Sequence, residues 1–240
     1  MKKIFKSMVK KLFGMKGQEI VDISDEYIRW LFYANAGMLT KGNLYCFDYV
    51  AKHLDSKSPF LEIGSFSGLS TNAIIYYMRK RGRDNRLFTC DKWEFETADP
   101  DGMIEASSIS HRDYRHFIKE SYMRNVRMFS EESLPFTVEM LSDDFFSAWG
   151  NDRKVNDVFG RSVSMGGPIS FCFIDGNHSY QQSLKDFDNC DKFLEKNGFI
   201  LFDDSEDDSG WDVCSVVKEV ERSGKYDFVM KNPNYLFRKK

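Results

Sequence analysis

Short apolar runs alternate with amphipathic stretches of helical period along most of this chain. The runs are Phe60-Leu61-Glu62-Ile63-Gly64, Arg86 to Asp91, Phe136 to Leu141, Ile169 to Ile174 and Phe199 to Phe202. Between them the spacing predicts helices over Ser67–Arg81, Asp143–Trp149, Tyr180–Leu194 and Trp211–Arg222. Ala73, Ile74 and Tyr77 share a face of the first, Leu184, Phe187 and Leu194 point inward from the third, and Val213, Val216, Val217 and Val220 share a side of the last. Asn197-Gly198 is expected to cap the third. Upstream, residues 22–56 read as helical in two pieces, with Asp22 or Ser24 as the first N-cap and Leu44–Leu54 as the second piece. Two closing strands, Tyr226–Met230 and Tyr235–Arg238, flank the turn Lys231-Asn232-Pro233-Asn234. Strands that are apolar along their whole length are covered on both faces. The alternation therefore predicts an α/β fold: an open, Rossmann-like, mostly parallel sheet with helices on both faces and one antiparallel strand near an edge.

Three stretches depart from that rhythm. Residues 92–135 are polar and aromatic, with a basic helix candidate over 112–129, and a connection of that length usually carries function. Tyr114, His116, Phe117 and Tyr122 suit it to close over a site or to make a dimer contact, which leaves a homo-oligomer open. Residues 150–168 read as a polar, glycine-rich loop. Residues 1–16 carry six lysines and no acid, with Ile4, Phe5, Met8, Val9, Leu12 and Phe13 at helical spacing. That pattern fits either an interfacial helix on anionic lipid or a helix packed on its own domain. The chain divides into a basic segment, 1–20, and one domain, 21–240.

Composition narrows the function classes. A net charge of −3 argues against a nucleic-acid binder. The five cysteines form no C-x-x-C pair and fall largely in apolar runs, which points to reduced thiols in the cytoplasm and away from zinc. No apolar run is long enough to cross a membrane.

In an open α/β sheet, ligands bind beyond the carboxyl ends of the strands. After the first strand come Glu62, Gly64, Ser65, Phe66, Ser67 and Gly68, a tight turn feeding a helix N-terminus that attracts an anion. A dinucleotide fold needs glycine where Phe66 stands, because the pyrophosphate must approach the backbone. A carboxylate with an ammonium beside it, held by the turn and Glu62, fits better. Asp91 ends the second strand, where a carboxylate accepts from ribose hydroxyls, or is an ordinary strand-end Asp. Trp93 is a candidate to stack on a base. After the third strand, Asp143 is a candidate acceptor for a base amino group, and Ser142 is equally a helix cap.

Asp175 follows the fourth strand, and Asp203 and Asp204 follow the fifth. If those strands are neighbours, the three carboxylates converge and repel unless a cation intervenes, and hard oxygen donors suit Mg²⁺. Glu206, Asp207 and Asp208 read as a solvated loop. His178, three residues past Asp175, is a candidate base for a substrate hydroxyl or a surface histidine.

The motifs PFLEIGSFSGLST, LFTCD, FCFIDGNHSYQQSLKDF and GFILFDDSEDDSGWDVCSVVKEV, spread over residues 40–223, resemble class I S-adenosylmethionine (SAM)-dependent methyltransferases of the family 24 branch. That branch includes macrolide-sugar and macrocin O-methyltransferases and cephalosporin hydroxylase-like proteins. The resemblance implies a seven-stranded sheet with one antiparallel strand, SAM held at Glu62–Gly68 and Asp91, and O-methylation of a hydroxyl on a sugar or other small-molecule or glycan acceptor. It implies Mg²⁺ at Asp175, Asp203 and Asp204, with Asp175 and His178 as catalytic residues and His178 as the base. Residues 92–135 match no part of the family pattern. The rival readings are a metal-dependent glycosyltransferase, which does not need the glycine turn, and a non-catalytic scaffold of the same fold at a membrane.

Overall fold

The computed structural model describes residues 25–94, 98–207 and 209–240. The basic segment and the N-cap candidates Asp22 and Ser24 lie outside the described residues. The chain enters through helices α1 (Glu26–Ala34) and α2 (Lys41–His53), followed by β1 (Phe60–Ile63), α3 (Leu69–Lys80) and β2 (Leu87–Cys90). Then come α4 (His111–Ser130), β3 (Phe136–Val138), α5 (Ser142–Gly150), β4 (Lys154–Asn156), β5 (Ser162–Ser164) and β6 (Ile169–Ile174). The chain ends with α6 (Tyr180–Phe193), β7 (Leu194–Phe202), α7 (Val213–Arg222), β8 (Tyr226–Lys231) and β9 (Tyr235–Lys239). Short polar side chains start several helices by taking up orphan N–H groups. Asp25 accepts from the amides of Tyr27 and Ile28, Thr40 from Asn43, Ser110 from Asp113 and Ser179 from Gln182.

Seven strands form one sheet in the order β3-β2-β1-β6-β7-β9-β8. All pairs are parallel except those of β9, which runs antiparallel to both β7 and β8. The antiparallel strand thus sits one place in from the edge. The alternation of side chains along each strand sorts the core into two layers. Phe60, Phe171, Phe173, Phe199 and Leu201 pack with α1, α2 and α3. Leu61, Cys172, Ile174, Ile200 and Phe202 pack with α5, α6 and α7. Strand order reverses between β1 and β6, and the crevice at that reversal is where such sheets place a ligand.

Three expectations are corrected. Residues 150–168 are not a plain loop, because β4 and β5 pair there as a small antiparallel hairpin. Asn197-Gly198 does not cap α6; it lies inside β7, and the cap is Leu194, whose N–H bonds Cys190. Glycine is needed there because a Cβ on Gly198 would stand 2.9 Å from the Ser170 carbonyl oxygen. Within residues 92–135, the 20-residue helix α4 is the crossover from β2 to β3 and packs beside α3. Tyr122 is buried beneath the glycine turn, so it is a wall of the fold and not part of a cover. Among the described residues, no helix is long and apolar enough to cross a membrane.

Candidate active site

The turn after β1 is shaped by two glycines with left-handed backbones, Gly64 at φ 81° and Gly68 at φ 92°. A Cβ on Gly64 would lie 1.9 Å from the Asp175 carbonyl oxygen, so the turn and the end of β6 touch only because that side chain is absent. Ser65 and Ser67 are buried, and the Ser67 hydroxyl donates to the Ala36 carbonyl. Asp91 holds the turn from the end of β2. Its Oδ2 accepts from the amides of Ser65 at 2.8 Å and Phe66 at 2.9 Å, and its Oδ1 accepts from the Trp93 amide at 2.6 Å. Burial raises the Asp91 carboxyl above its ordinary range, while these amides pull it back. One lone pair on Oδ1 stays free for a further donor.

Trp93 is placed differently from the stacking role expected of it. Its indole is 3% exposed, packs against Tyr122 and donates to the Phe66 carbonyl at 2.8 Å, so it presents no open face to a base. Asp143 is likewise turned away from the strand ends: Lys185 and Asn189 on α6 take its carboxylate. Ser142 is the first residue of α5 and not its cap, which is Leu141; its hydroxyl accepts from Gln182 at 3.2 Å.

Glu62 is fully buried in β1, on the layer facing α3. Thr71 donates to its Oε2, and its Oε1 has no partner. Burial pushes this carboxyl up to about 8, with Asp91 adding to the rise and Ser70 and Thr71 opposing it. The folded chain therefore keeps a proton here that the unfolded chain has released, and its stability falls as pH rises toward 8. Replacing Glu62 with Gln is expected to remove about 1 kcal/mol of the loss between pH 7 and pH 8, read as the wild-type-minus-variant difference in urea unfolding. Parallel curves for the two proteins would contradict the assignment.

The sheet brings Asp175, His178, Asp203 and Asp204 together beyond the carboxyl ends of β6 and β7, beside the switch point. His178 Nε2 is buried without a hydrogen-bond partner, 3.7 Å from Asp175 Oδ1 and 3.7 Å from Asp204 Oδ2. Its ring lies 5.0 Å from that of Trp211. Burial, then the Asp203 charge and a hydrogen bond between the two carboxyls, raise Asp175 well above the ordinary carboxylate range. Burial also raises Asp203, against hydrogen bonds from Asn43 and Asp175 that lower it. Asp204 occupies a left-handed backbone at φ 48°. Among the described residues, no three His, Cys, Asp or Glu side chains are set around a common point at metal-ligand spacing. Asp175 and Asp203 are closed on a hydrogen bond between them instead.

Two residues of this centre escaped the sequence reading. Asn43 on α2 and Asn234 in the β8–β9 turn both donate through Nδ2 to Asp203 Oδ1. The available signal was an Asn on the buried face of a helix, beside Leu44, Cys46 and Phe47. Trp211 was read only as a helix start, and its approach to His178 depends on the loop that follows β7.

The sequence profile of the methyltransferase domain family matches residues 61–205. A solved O-methyltransferase from Bacillus cereus in complex with S-adenosylhomocysteine (SAH) is similar at 13% identity, covering 99% of this chain and 97% of that one with a TM-score of 0.56. The SAH-bound methyltransferase PaMTH1 of Podospora anserina is similar at 13% identity over 99% of this chain and 94% of that one, with a TM-score of 0.57. At such identity these likenesses speak to the fold. A 39-residue stretch is 46% identical to the uncharacterized protein R132 of Acanthamoeba polyphaga mimivirus, and it spans 16% of this chain and 18% of that protein. The profile match extends from β1 through the acidic pair after β7, more than half of the chain, and on that ground the chain belongs to the methyltransferase domain family.

Proposed function

We propose that this chain is a SAM-dependent O-methyltransferase acting on a hydroxyl of a small-molecule or glycan acceptor, with Mg²⁺ assisting. The observation that carries the reading is His178 Nε2, buried and unpartnered between the carboxyls of Asp175 and Asp204. A base with an empty hydrogen-bond site suits the removal of a proton from an incoming hydroxyl. Asp175 and Asp204 flank the ring at 3.7 Å, and the Asp204 carboxylate would stabilise the imidazolium that forms when the proton arrives.

The N-terminus of α3, which follows the turn from Gly64 to Gly68, favours a carboxylate, and the free lone pair of Asp91 Oδ1 fits one ribose hydroxyl. Bound SAM supplies a methyl group already activated by its sulfonium. The chain's contribution is alignment, which is worth several kcal/mol when two reactants are held in line. The oxygen donors are of the type a hard divalent ion takes: among the described residues no Lys or Arg is paired with Asp175, Asp203 or Asp204, and the orphaned His178 nitrogen lies beside them. Asp175, Asp203 and Asp204 would hold Mg²⁺ after the shared proton leaves. Its charge would favour ionisation of an acceptor hydroxyl. The five cysteines are free, four of them buried, which favours a reducing compartment and so the cytoplasm.

Calorimetric titration of the purified chain with SAM and SAH tests the cofactor assignment, and methyl transfer to a glycan and phenol panel before and after EDTA tests the metal. The expected results are saturable binding of both nucleosides and transfer that EDTA abolishes and Mg²⁺ restores. No binding at millimolar ligand would overturn the reading, and EDTA-resistant transfer would remove the metal from it.

A further inference from the structure

Ser67 stands between the glycine turn and α3, and its carbonyl oxygen is held from two sides. Asn35, the C-cap of α1, donates to it through Nδ2 at 2.9 Å, and Asn125 on α4 donates through Nδ2 at 2.9 Å. A carbonyl oxygen has two lone pairs, so both are taken. The peptide plane between Ser67 and Gly68 is thereby fixed. Gly68 donates to the Ser65 carbonyl at 2.8 Å, which closes the turn, and it is also the N-cap of α3. It brings no side-chain cap, so it takes up none of the first N–H groups of α3, which have no partner within the helix.

Asn35 is itself held by a line of polar side chains. The Ser130 hydroxyl, at the end of α4, donates to Asn72 Oδ1 at 2.6 Å, and Asn72 Nδ2 donates to Asn35 Oδ1 at 2.9 Å. The other Nδ2 hydrogen of Asn35 goes to the Ala36 carbonyl at 2.9 Å, which also accepts from the Ser67 hydroxyl. Asn35, Ser67, Asn72 and Ser130 are all buried. A buried network satisfied in this way is rigid. The backbone approaches closely as well: a Cβ on Gly37 would stand 2.6 Å from the Cβ of Leu69, the first residue of α3. The exit of α1 is therefore pressed against the start of α3 and bonded to the turn that precedes it.

We propose that Asn35 is a positioning residue for the cofactor: from α1 it fixes the Ser67–Gly68 peptide and so keeps the N-terminus of α3 in place for the carboxylate of the methionine tail. The identity of that ligand rests on the SAM reading; the hydrogen bonds stand without it. Donors that are already in place when a ligand arrives lower the ordering cost of binding. Asn35 reaches the ligand only through Ser67 and Gly68, so its effect falls on affinity. A helix that precedes the first strand of the sheet thus takes part in cofactor binding.

The test is calorimetric titration of the full chain with SAH, together with amide hydrogen exchange over residues 64–72 without ligand. Asn35→Ala is compared with the wild type and with Asn85→Ala. Asn85 precedes β2 at the opposite end of the sheet, where its buried side chain donates to the Ser56 and Ser58 carbonyls at 2.9 and 2.7 Å. Both variants are expected to melt at a lower temperature than the wild type. Only Asn35→Ala is expected to bind SAH about tenfold more weakly where it is fully folded, and to exchange the 64–72 amides faster. If Asn35→Ala does not fold, Asn125→Ala removes the other donor to the same carbonyl from a half-buried position, and the same two effects are expected at smaller size. Wild-type SAH affinity in the folded variant, or an equal loss in Asn85→Ala, overturns the proposal and leaves the SAM reading intact. Failure of the wild type itself to bind SAH overturns both.

Discussion

His178→Ala is expected to lower methyl transfer by about 10²–10⁴-fold, the span that one positioned general base contributes. The size follows from the geometry. No other histidine approaches the switch point, and Asp175 and Asp203 are engaged with one another. Burial and the Asp203 charge raise the Asp175 carboxyl well above its ordinary range, and Asp203 Oδ1 already receives two amide donors. SAM affinity in this variant should stay within about twofold of wild type, because the contacts assigned to the cofactor belong to the turn after β1 and to Asp91. A fall in turnover with unchanged SAM binding locates the loss in the chemical step. If His178→Ala retains full turnover, the base is elsewhere. If it loses SAM binding in parallel, His178 belongs to the cofactor pocket and not to the chemistry.

The parts of this molecule legible in sequence are those governed by local period. Strands such as Ile169–Ile174 are apolar throughout because both layers cover them, and their ends carry the acids that the sheet then assembles. Placing β6 beside both β1 and β7 was enough to bring Asp175 to Asp203, which sequence spacing alone could not guarantee. Reading failed where a residue's fate depends on a neighbour far away in the chain. Asp143 follows the third strand, where a base contact was expected, but Lys185, one crossover later, takes its charge. Trp93 looked available because it follows Asp91 closely, yet α4 closes over it with Ile118, Tyr122 and Val126. The basic composition of α4 disguised a regular crossover as an insertion, since three of its apolar residues are enough to seat it against the glycine turn.

Asn234→Ala is expected to cost about 2–3 kcal/mol of folding stability, the range for a hydrogen bond to a buried charged group. In a chain of this length that corresponds to a fall of roughly 5–10 °C in melting temperature. Asn234 is fully buried, and it joins two distant parts of the fold at Asp203. Its Nδ2 donates to Asp203 Oδ1 at 2.6 Å and to Asn43 Oδ1 at 2.9 Å, while its Oδ1 accepts from the Ser205 amide at 3.0 Å. Asn43→Ala removes the other donor to the same oxygen, so the two substitutions should not add. The decisive measurement is an unfolding cycle with Asp203→Asn. If the two amides serve the carboxylate, Asn234→Ala costs less when the charge is gone. An equal cost in both backgrounds would mean that Asn234 merely fills space between α2 and the β8–β9 turn, and that Asp203 is held in place by β7 alone.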